Sequence, residues 1–232
     1  MQINIGYRPS QTLAQIQLAP NESVIAESGA MVGMSTNVQM TTSAGSQGQG
    51  LVGGLLSGLK RMVAGESFFR NTFTAQNGPG ELLLAHTLCG DMSILDMTPT
   101  GYFIQSSSYI ACTPNVNLDT KVGGFKTFFA GEGVFVLKAT AAEPGQVLVG
   151  AFGGIQELIC DGNLVIDTGH LVAWDASLEY SVGKSASGWI ASFFSGEGLV
   201  CHFRGQGRIW IQTRNPSGYG KTIGKMLPPR KG

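Results

Sequence analysis

The sequence predicts an all-β protein built from three tandem modules, and three observations support this prediction. Short apolar runs alternate with turn residues along the whole chain, and 34 of the 232 residues are glycine. No long amphipathic helical pattern interrupts them. A phrase ending in Gly-Glu occurs three times, at Glu66, Glu132 and Glu197, with a spacing of about 65 residues. Because a fixed period marks a repeated unit, we predict three β modules around a pseudo-threefold axis.

The module boundaries follow from two repeated landmarks. Each Gly-Glu phrase is entered through a pair of large apolar residues and is followed by an apolar run. Upstream of each phrase lies an apolar stretch whose last residues alternate apolar and polar, as in a half-buried strand. These stretches are residues 30–40, 108–118 and 170–180. We therefore place the modules at residues 1–87, 88–152 and 153–214, with a short basic tail at 215–232.

The first module begins with a predicted strand pair. Residues 2–6 and 12–18 alternate polar and apolar side chains, and Pro20–Ser23 forms the next predicted turn. Residues 41–58 are rich in glycine and leucine and have no counterpart of this length in the other two modules. We interpret this segment as an insertion. The module closes around a turn at Asn77–Gly80.

The second and third modules repeat this order of short strands and turns. Glycine and proline supply the predicted turns of the second module, at Thr98–Gly101 and Glu143–Gly145. Turns at Asp161–Asn163 and Gly205–Gly207 are predicted for the third module. Beyond Asn215 the chain becomes basic and contains two consecutive prolines, so we expect a solvated end.

Composition bounds the class of function. The chain is 43% hydrophobic and 13% charged, with a formal net charge of zero, so no global field favours nucleic acid. The N-terminus lacks the pattern of a signal peptide, and no apolar run approaches the roughly 20 residues of a membrane span. We expect a cytoplasmic protein, peripheral to a membrane if it contacts one. The four cysteines lie far apart and are expected to be buried thiols, with a disulfide or a metal site as alternatives.

Several of these phrases together resemble a known family. They are Gly-Leu-Leu-Ser-Gly-Leu-Lys-Arg (54–61), Ala-Gly-Glu-Ser-Phe-Phe (64–69), Gly-Pro-Gly-Glu (78–81), Ser-Gly-Glu-Gly-Leu-Val-Cys-His-Phe (195–203) and Trp-Ile-Gln-Thr-Arg (210–214). In this order they resemble the altered-inheritance-of-mitochondria, or mitochondrial biogenesis, family. Its bacterial members are mostly hypothetical proteins of a former domain of unknown function, and its eukaryotic members are linked to organisation of the mitochondrial inner membrane. The resemblance implies three fused modules similar to the tryptophan RNA-binding attenuation protein, of double-stranded β-helix type, and implies no catalytic residues.

The repeated glutamates are the sharpest candidates for a site. Glu66, Glu132 and Glu197 could meet on the pseudo-threefold axis and bind a cation, or raise one another's pKa by repulsion. Alternatively, each accepts backbone N–H bonds in the turn that its glycine makes, and is repeated because the module is repeated. The Gly48–Gly53 and Asn215–Thr222 stretches approximate nucleotide-binding motifs but lack the strand–helix setting that those motifs require. His86, His170 and His202 form no convincing catalytic set.

Two functions from different classes remain, and no cofactor is predicted for either. The favoured one is a non-catalytic scaffold or partner-binding protein acting near a membrane, through the 41–58 insertion and the basic tail. Its candidate contacts are Leu51, Val52, Leu55, Leu56 and Leu59. Alternatively, these side chains fold back and cap one end of the β body. The alternative is a small-molecule or metal-binding module, or an enzyme, using a central cavity or the three glutamates. RNA binding follows only from fold analogy, and core-like aromatic spacing disfavours it. A homo-oligomer is left open.

Overall fold

The computed structural model describes residues 1–44, 69–120, 135–184 and 199–228, and these residues are mostly β-strand. The predicted all-β class is therefore confirmed. The strands are β1 (Gln2–Gly6), β2 (Leu13–Leu18), β3 (Ser23–Glu27), β4 (Met31–Met34), β5 (Val38–Ala44), β6 (Phe69–Ala75), β7 (Gly80–Leu84), β8 (Met92–Asp96), β9 (Tyr102–Gln105), β10 (Tyr109–Cys112), β11 (Asn117–Asp119), β12 (Val136–Thr140), β13 (Gln146–Gly150), β14 (Ile155–Asp167), β15 (Leu171–Asp175), β16 (Glu179–Lys184) and β17 (Leu199–Gln212). One α-helix, α1 (Pro216–Gly224), follows β17.

The described strands form three sheets in which neighbouring strands run antiparallel. The sheets have the orders β1-β2-β7-β4, β5-β6-β3-β10-β13-β8 and β11-β12-β9-β15-β17-β14, with β16 also paired to β17. The predicted N-terminal strand pair is present as β1 and β2, from Gln2 opposite Gln17 to Gly6 opposite Leu13. The turns predicted at 20–23, 77–80, 98–101 and 143–145 lie between consecutive strands, as expected.

The order of strand pairing is the same in three successive parts of the chain. We number six strands in each part. They are β2 to β7 in the first part and β8 to β13 in the second. In the third part the long strand β14 counts as the first and second strands, β15 and β16 are the third and fourth, and the long strand β17 counts as the fifth and sixth. In every part the first and third strands pair with the sixth, and the second and fourth pair with the fifth. Each third strand also carries a register shift after its first residue, at Met31, Tyr109 and Leu171.

The parts are joined by pairing between a second strand and the next part's third strand. Strand β3 pairs with β10, and β9 pairs with β15. Both six-strand and seven-strand sheets therefore contain residues from two parts. Buried apolar side chains of both parts pack together around these junctions, including Ile25 with Cys112, and Ile104 with Ala173. Burial of this apolar surface is the main stabilisation of such junctions.

Two turns predicted in the third part are absent. Strands β14 and β17 run without interruption for 13 and 14 residues, and they remain in register from Ile155 opposite Gln212 to Asp167 opposite Val200. Gly162 lies opposite Gly205, and both glycines have a φ of +107°. Because glycine tolerates positive φ, both strands bend at the same level and keep their pairing. The glycines that indicated turns therefore mark a shared bend.

The start of the basic tail, expected to be a solvated end, is a helix. The Asn215 side chain caps helix α1 by accepting a hydrogen bond from Gly218 N, and Pro216 occupies the first turn. The Tyr219 ring packs edge-on against Phe152 at 5.1 Å between centroids. The near match to a phosphate-binding loop thus lies within a helix, not ahead of one. No helix among the described residues has the length and apolarity needed to cross a membrane.

The cysteines follow the prediction with one exception. Cys112, Cys160 and Cys201 are buried, and all four cysteines are free thiols. Cys89 is exposed, so the prediction of a buried thiol is wrong at this position. Cys89 lies in the connection between β7 and β8, where no strand pattern sets the orientation of a side chain.

Candidate functional site

The site residues predicted from the sequence all lie outside the described residues. They are Glu66, Glu132 and Glu197, together with Leu51, Val52, Leu55, Leu56 and Leu59. Their roles stay predictions. In sequence, the three segments that contain them (45–68, 121–134 and 185–198) each fall between the fourth and fifth strands of a part. The three glutamates thus occupy the same place in the strand order.

The structure does describe the strand pairs from which these segments leave. The last paired residues are Ala44 opposite Phe69, Asp119 opposite Lys138, and Lys184 opposite Leu199. The second strand of each part ends beside its fifth strand, with Glu27, Gln105 and Asp167 as the last residues. Each part therefore places a polar side chain at the end of its second strand.

In the first part this position carries an unusual carboxyl group. Glu27 is half-buried, and burial raises its pKa from 4.5 to about 7. Its partner in the strand register is Arg70, which is only 6% exposed. Nearby, the Tyr109 hydroxyl donates a hydrogen bond to the Ile25 carbonyl at 3.0 Å. Glu27 therefore changes its charge near neutral pH.

The neighbouring groups do not make this cluster a catalytic centre. The Tyr109 hydroxyl lies 3.3 Å from the Cys112 sulfur, and both are fully buried. Burial raises the pKa of Tyr109 well above 10 and that of Cys112 to about 11. Both groups therefore stay protonated at neutral pH. A thiol in this form is a poor nucleophile.

Two of the described histidines, His86 and His170, make contacts that support the fold. His86 Nε2 lies 2.8 Å from the Ser107 carbonyl, and His170 Nδ1 lies 2.7 Å from the Gln212 carbonyl. Asp167 accepts a hydrogen bond from Gly169 N at 2.7 Å and so caps a turn. The two histidine contacts hold connecting segments in place.

A polar network joins the second and third parts at the β9–β15 junction. The Asp175 carboxylate, only 8% exposed, accepts a hydrogen bond from Arg208 N at 2.7 Å and contacts the Arg208 guanidinium at 3.4 Å. The guanidinium donates to the Tyr102 hydroxyl at 2.9 Å and lies over the Trp210 ring at 5.0 Å. Each polar group is satisfied by another member of the network, so this arrangement stabilises the junction.

The described residues offer a metal ion no ready site, because they contain no group of three or more His, Cys, Asp or Glu side chains arranged to hold one. Their unusual feature is exposed apolar surface. On strand β4, Met31, Val32 and Met34 are 39%, 58% and 41% exposed, and on β14 Val165 is 55% exposed. After helix α1, Met226 and Leu227 are also exposed. These side chains are candidates for contacts, because contiguous exposed apolar surface often marks an interaction site.

Together, the fold and these surfaces define a β-sheet protein whose described polar groups mostly support the fold and whose apolar strand edges face solvent. The chain belongs to the mitochondrial biogenesis AIM24 family, whose model matches residues 3–214. An uncharacterized protein of Streptococcus pyogenes serotype M6 is 32% identical over 220 residues, covering 93% of this chain and 87% of the relative. A crystal structure of a Streptococcus pyogenes protein, a structural genomics target, matches with a TM-score of 0.77 at 28% identity, covering 97% of this chain and 99% of that one. The family resemblance of the sequence is thus confirmed.

Proposed function

We propose that this chain is a non-catalytic scaffold protein that acts at a membrane surface through contacts with other macromolecules. The observation that carries this proposal is the exposed segment at and beyond helix α1. None of the helix residues is buried, and Met226 and Leu227 are 75% and 62% exposed. Lys221 and Lys225 lie in the same short segment. Apolar side chains next to lysines suit the interface of an anionic bilayer.

The chemistry of the described residues supports a scaffold over an enzyme. Burial raises the pKa of the Cys201 thiol to about 12, and His86 and His170 contact backbone carbonyls. The Asp175 carboxylate is used to hold Arg208 at a junction between parts. These groups stabilise strands and connections. The exposed apolar side chains described above then provide the contact surface that a scaffold protein requires.

A finer description of the architecture belongs to the same proposal. Residues 1–87, 88–152 and 153–214 are three equivalent modules, each contributing the six-strand pairing order. The recurrence of that order and the matching register shifts in the third strands support this. Superposition of the three modules in an experimental structure tests it. If their strands do not superpose, the equivalence is wrong.

Vesicle flotation tests the membrane role. Wild-type protein is expected to float with vesicles that contain anionic lipid and much less with zwitterionic vesicles. The double variant Met226→Ser, Leu227→Ser is expected to lose at least half of that binding, since each buried apolar side chain contributes about 1.5–3 kcal/mol. Tyr7→Ser, at an exposed side chain distant in sequence from α1, is the matched control. Equal flotation of wild type and the double variant would contradict the assignment to this segment.

The 41–58 insertion, predicted from its leucines as a further contact, is tested in parallel. Residues 45–57 are replaced by a short Gly-Ser link, and vesicle flotation and capture of proteins from a membrane-containing lysate are compared with wild type. Loss of a captured protein or of flotation supports the predicted contact. Loss of thermal stability with both binding readouts unchanged shows that the leucines support the fold instead.

A further inference from the structure

We infer that strand β4 of one molecule pairs with residues 163–167 of β14 in a second molecule, so that copies of the chain join head to tail. This inference rests on the proposed scaffold role and names a partner for it, a second copy of the chain. The chain already joins its own parts by pairing strands of these two kinds.

Each of the two junctions within the chain pairs a second strand antiparallel with a third strand, in the same register. The β3–β10 junction and the β9–β15 junction both place an alanine of the third strand opposite the next-to-last residue of the second strand. The paired residues are Ala26 with Ala111, Ile25 with Cys112, Ile104 with Ala173, and Phe103 with Trp174. The chain therefore uses one junction geometry twice.

Among the described strands, the third strand of the first part and the second strand of the third part remain outside these junctions. They are β4, at the edge of the four-stranded sheet, and residues 163–167 of β14, which pair on one side with β17. The register shift of β4 after Met31 matches the shifts of β10 and β15. Gly33 thus corresponds to Ala111 and Ala173, and Met34 to Cys112 and Trp174.

The second strand of the third part is aligned by its C-terminal end. Asp167 precedes a 3₁₀ turn at Thr168–His170, as Gln105 precedes the one at Ser106–Ser108. Ile166 therefore corresponds to Ile104, and Val165 to Phe103. Transferring the register of the internal junctions places Met34 opposite Val165 and Gly33 opposite Ile166.

The exposed fractions of the side chains differ between the paired junctions and the two unpaired edges. At the internal junctions the corresponding residues Cys112, Trp174 and Phe103 are 2%, 1% and 8% exposed. At the free edges Met34 is 41% exposed and Val165 is 55% exposed. The two side chains that the transferred register brings together are thus both apolar and both open to solvent. Unpaired strand edges with apolar side chains readily accept another strand.

The partner strand comes from another molecule because β4 and residues 163–167 lie in different sheets of the described chain and are not paired with each other. The contact joins two different edges, so each copy keeps one free edge after the first contact. Such a head-to-tail contact yields a ring where the rotation closes and a filament where it does not.

Cysteine cross-linking tests the register directly. In a Cys89→Ser background, which removes the exposed thiol, Met34→Cys is placed in one tagged chain and Val165→Cys in an untagged chain. Side chains directly opposite on antiparallel strands have Cβ atoms about 4.5–5.5 Å apart, close enough for a disulfide after small adjustment. We expect a disulfide-linked heterodimer after mixing and mild oxidation. Met40→Cys mixed with Val165→Cys, which places an equally exposed methionine position on β5, is the control and is expected to give none.

The same variants reveal whether the edges meet within one molecule. A chain carrying both Met34→Cys and Val165→Cys would then form an internal disulfide, run as a faster-migrating monomer, and leave the mixed single variants unlinked. That result would overturn the inference, as would the absence of any cross-link.

Light scattering tests assembly without cross-linking. Wild type is expected to exceed the mass of one chain increasingly with concentration, and Met34→Lys or Val165→Lys is expected to remain monomeric. A mixture of the two lysine variants is expected to stop at dimers, because each molecule keeps one intact edge. Both side chains are exposed in the single chain, so folding should persist, which circular dichroism checks; if a lysine variant does not fold, the cross-link decides. A monomeric wild type at all concentrations overturns self-assembly, whereas vesicle flotation, measured separately, still decides the proposed membrane role.

Discussion

The raised pKa of Glu27 predicts that stability falls as pH rises through neutrality, and Glu27→Gln isolates the effect. Burial raises the pKa of this carboxyl group from 4.5 to about 7 in the folded chain. The folded state therefore holds a proton on Glu27 between about pH 4.5 and 7 that the unfolded chain has released. Below about pH 4.5 Glu27 is protonated in both the folded and the unfolded chain, so its ionisation does not change the free energy of unfolding. Above about pH 7 the buried carboxylate lowers the free energy of unfolding by its full amount, relative to a neutral glutamine.

The magnitude follows from the pKa and the position of the side chain. One pKa unit corresponds to about 1.36 kcal/mol, so a rise from 4.5 to about 7 corresponds to roughly 3 kcal/mol for a fully buried carboxylate. Glu27 is only half-buried, and solvent screening reduces this to about 1–2 kcal/mol. We therefore expect the gain in the free energy of unfolding from Glu27→Gln to be about 1–2 kcal/mol larger at pH 8 than at pH 5.

Urea unfolding of wild type and Glu27→Gln at pH 5 and pH 8 measures the difference. Exposed Glu179→Gln, which changes the net charge equally, is the control. An unchanged difference between the two pH values would show that Glu27 does not titrate in this range. The register places Arg70 opposite Glu27, and an ion pair there would lower the pKa instead of raising it. If Glu27→Gln becomes less favourable as pH rises, the ion pair outweighs burial and the reasoning is refuted.

Three further predictions concern stability and thiol accessibility. Asp175→Asn keeps the side-chain shape but removes the charge that holds Arg208. We expect thermal unfolding to show a loss of stability of about 1–2 kcal/mol, a value that already allows for the partial exposure of the guanidinium. An unchanged midpoint would show that the pair contributes nothing. Gly101 has a φ of +79°, and an added Cβ would collide with a backbone carbonyl of β12, so Gly101→Ala is expected to lower stability by more than 1 kcal/mol in urea unfolding; wild-type stability would contradict that geometry. Cys89 is expected to react with a thiol reagent within minutes in the folded chain. Cys201 is expected to react only on unfolding, because it is buried and its pKa is raised to about 12. Mass spectrometry of labelled peptides shows the order of reaction, and labelling of Cys201 in the folded chain would contradict the prediction.

The sequence predicted what depends on neighbouring residues. Alternation in residues 2–6 and 12–18 predicted the β1–β2 pair, and glycine or proline at 77–80 and 143–145 predicted turns that the structure contains. Such signals are local because a turn or a strand face is set by side chains within a few positions. The ordered family phrases identified the AIM24 family for the same reason, since each phrase can be read in place. Asn215 and Pro216 were available signals for helix α1, but three glycines within its nine residues weaken the helical pattern.

The tertiary structure decided everything that depends on residues far apart in sequence. Gly162 and Gly205 each predict a turn when read alone, yet they face each other across β14 and β17 and bend one continuous pair. The burial of Glu27 beside Tyr109, and the exposure of Met34 and Val165, follow from which strands of different parts pair and which do not. A single sequence records the composition of each strand but not its partner, because strand pairing is a long-range contact whose free energy comes from surfaces brought together only on folding.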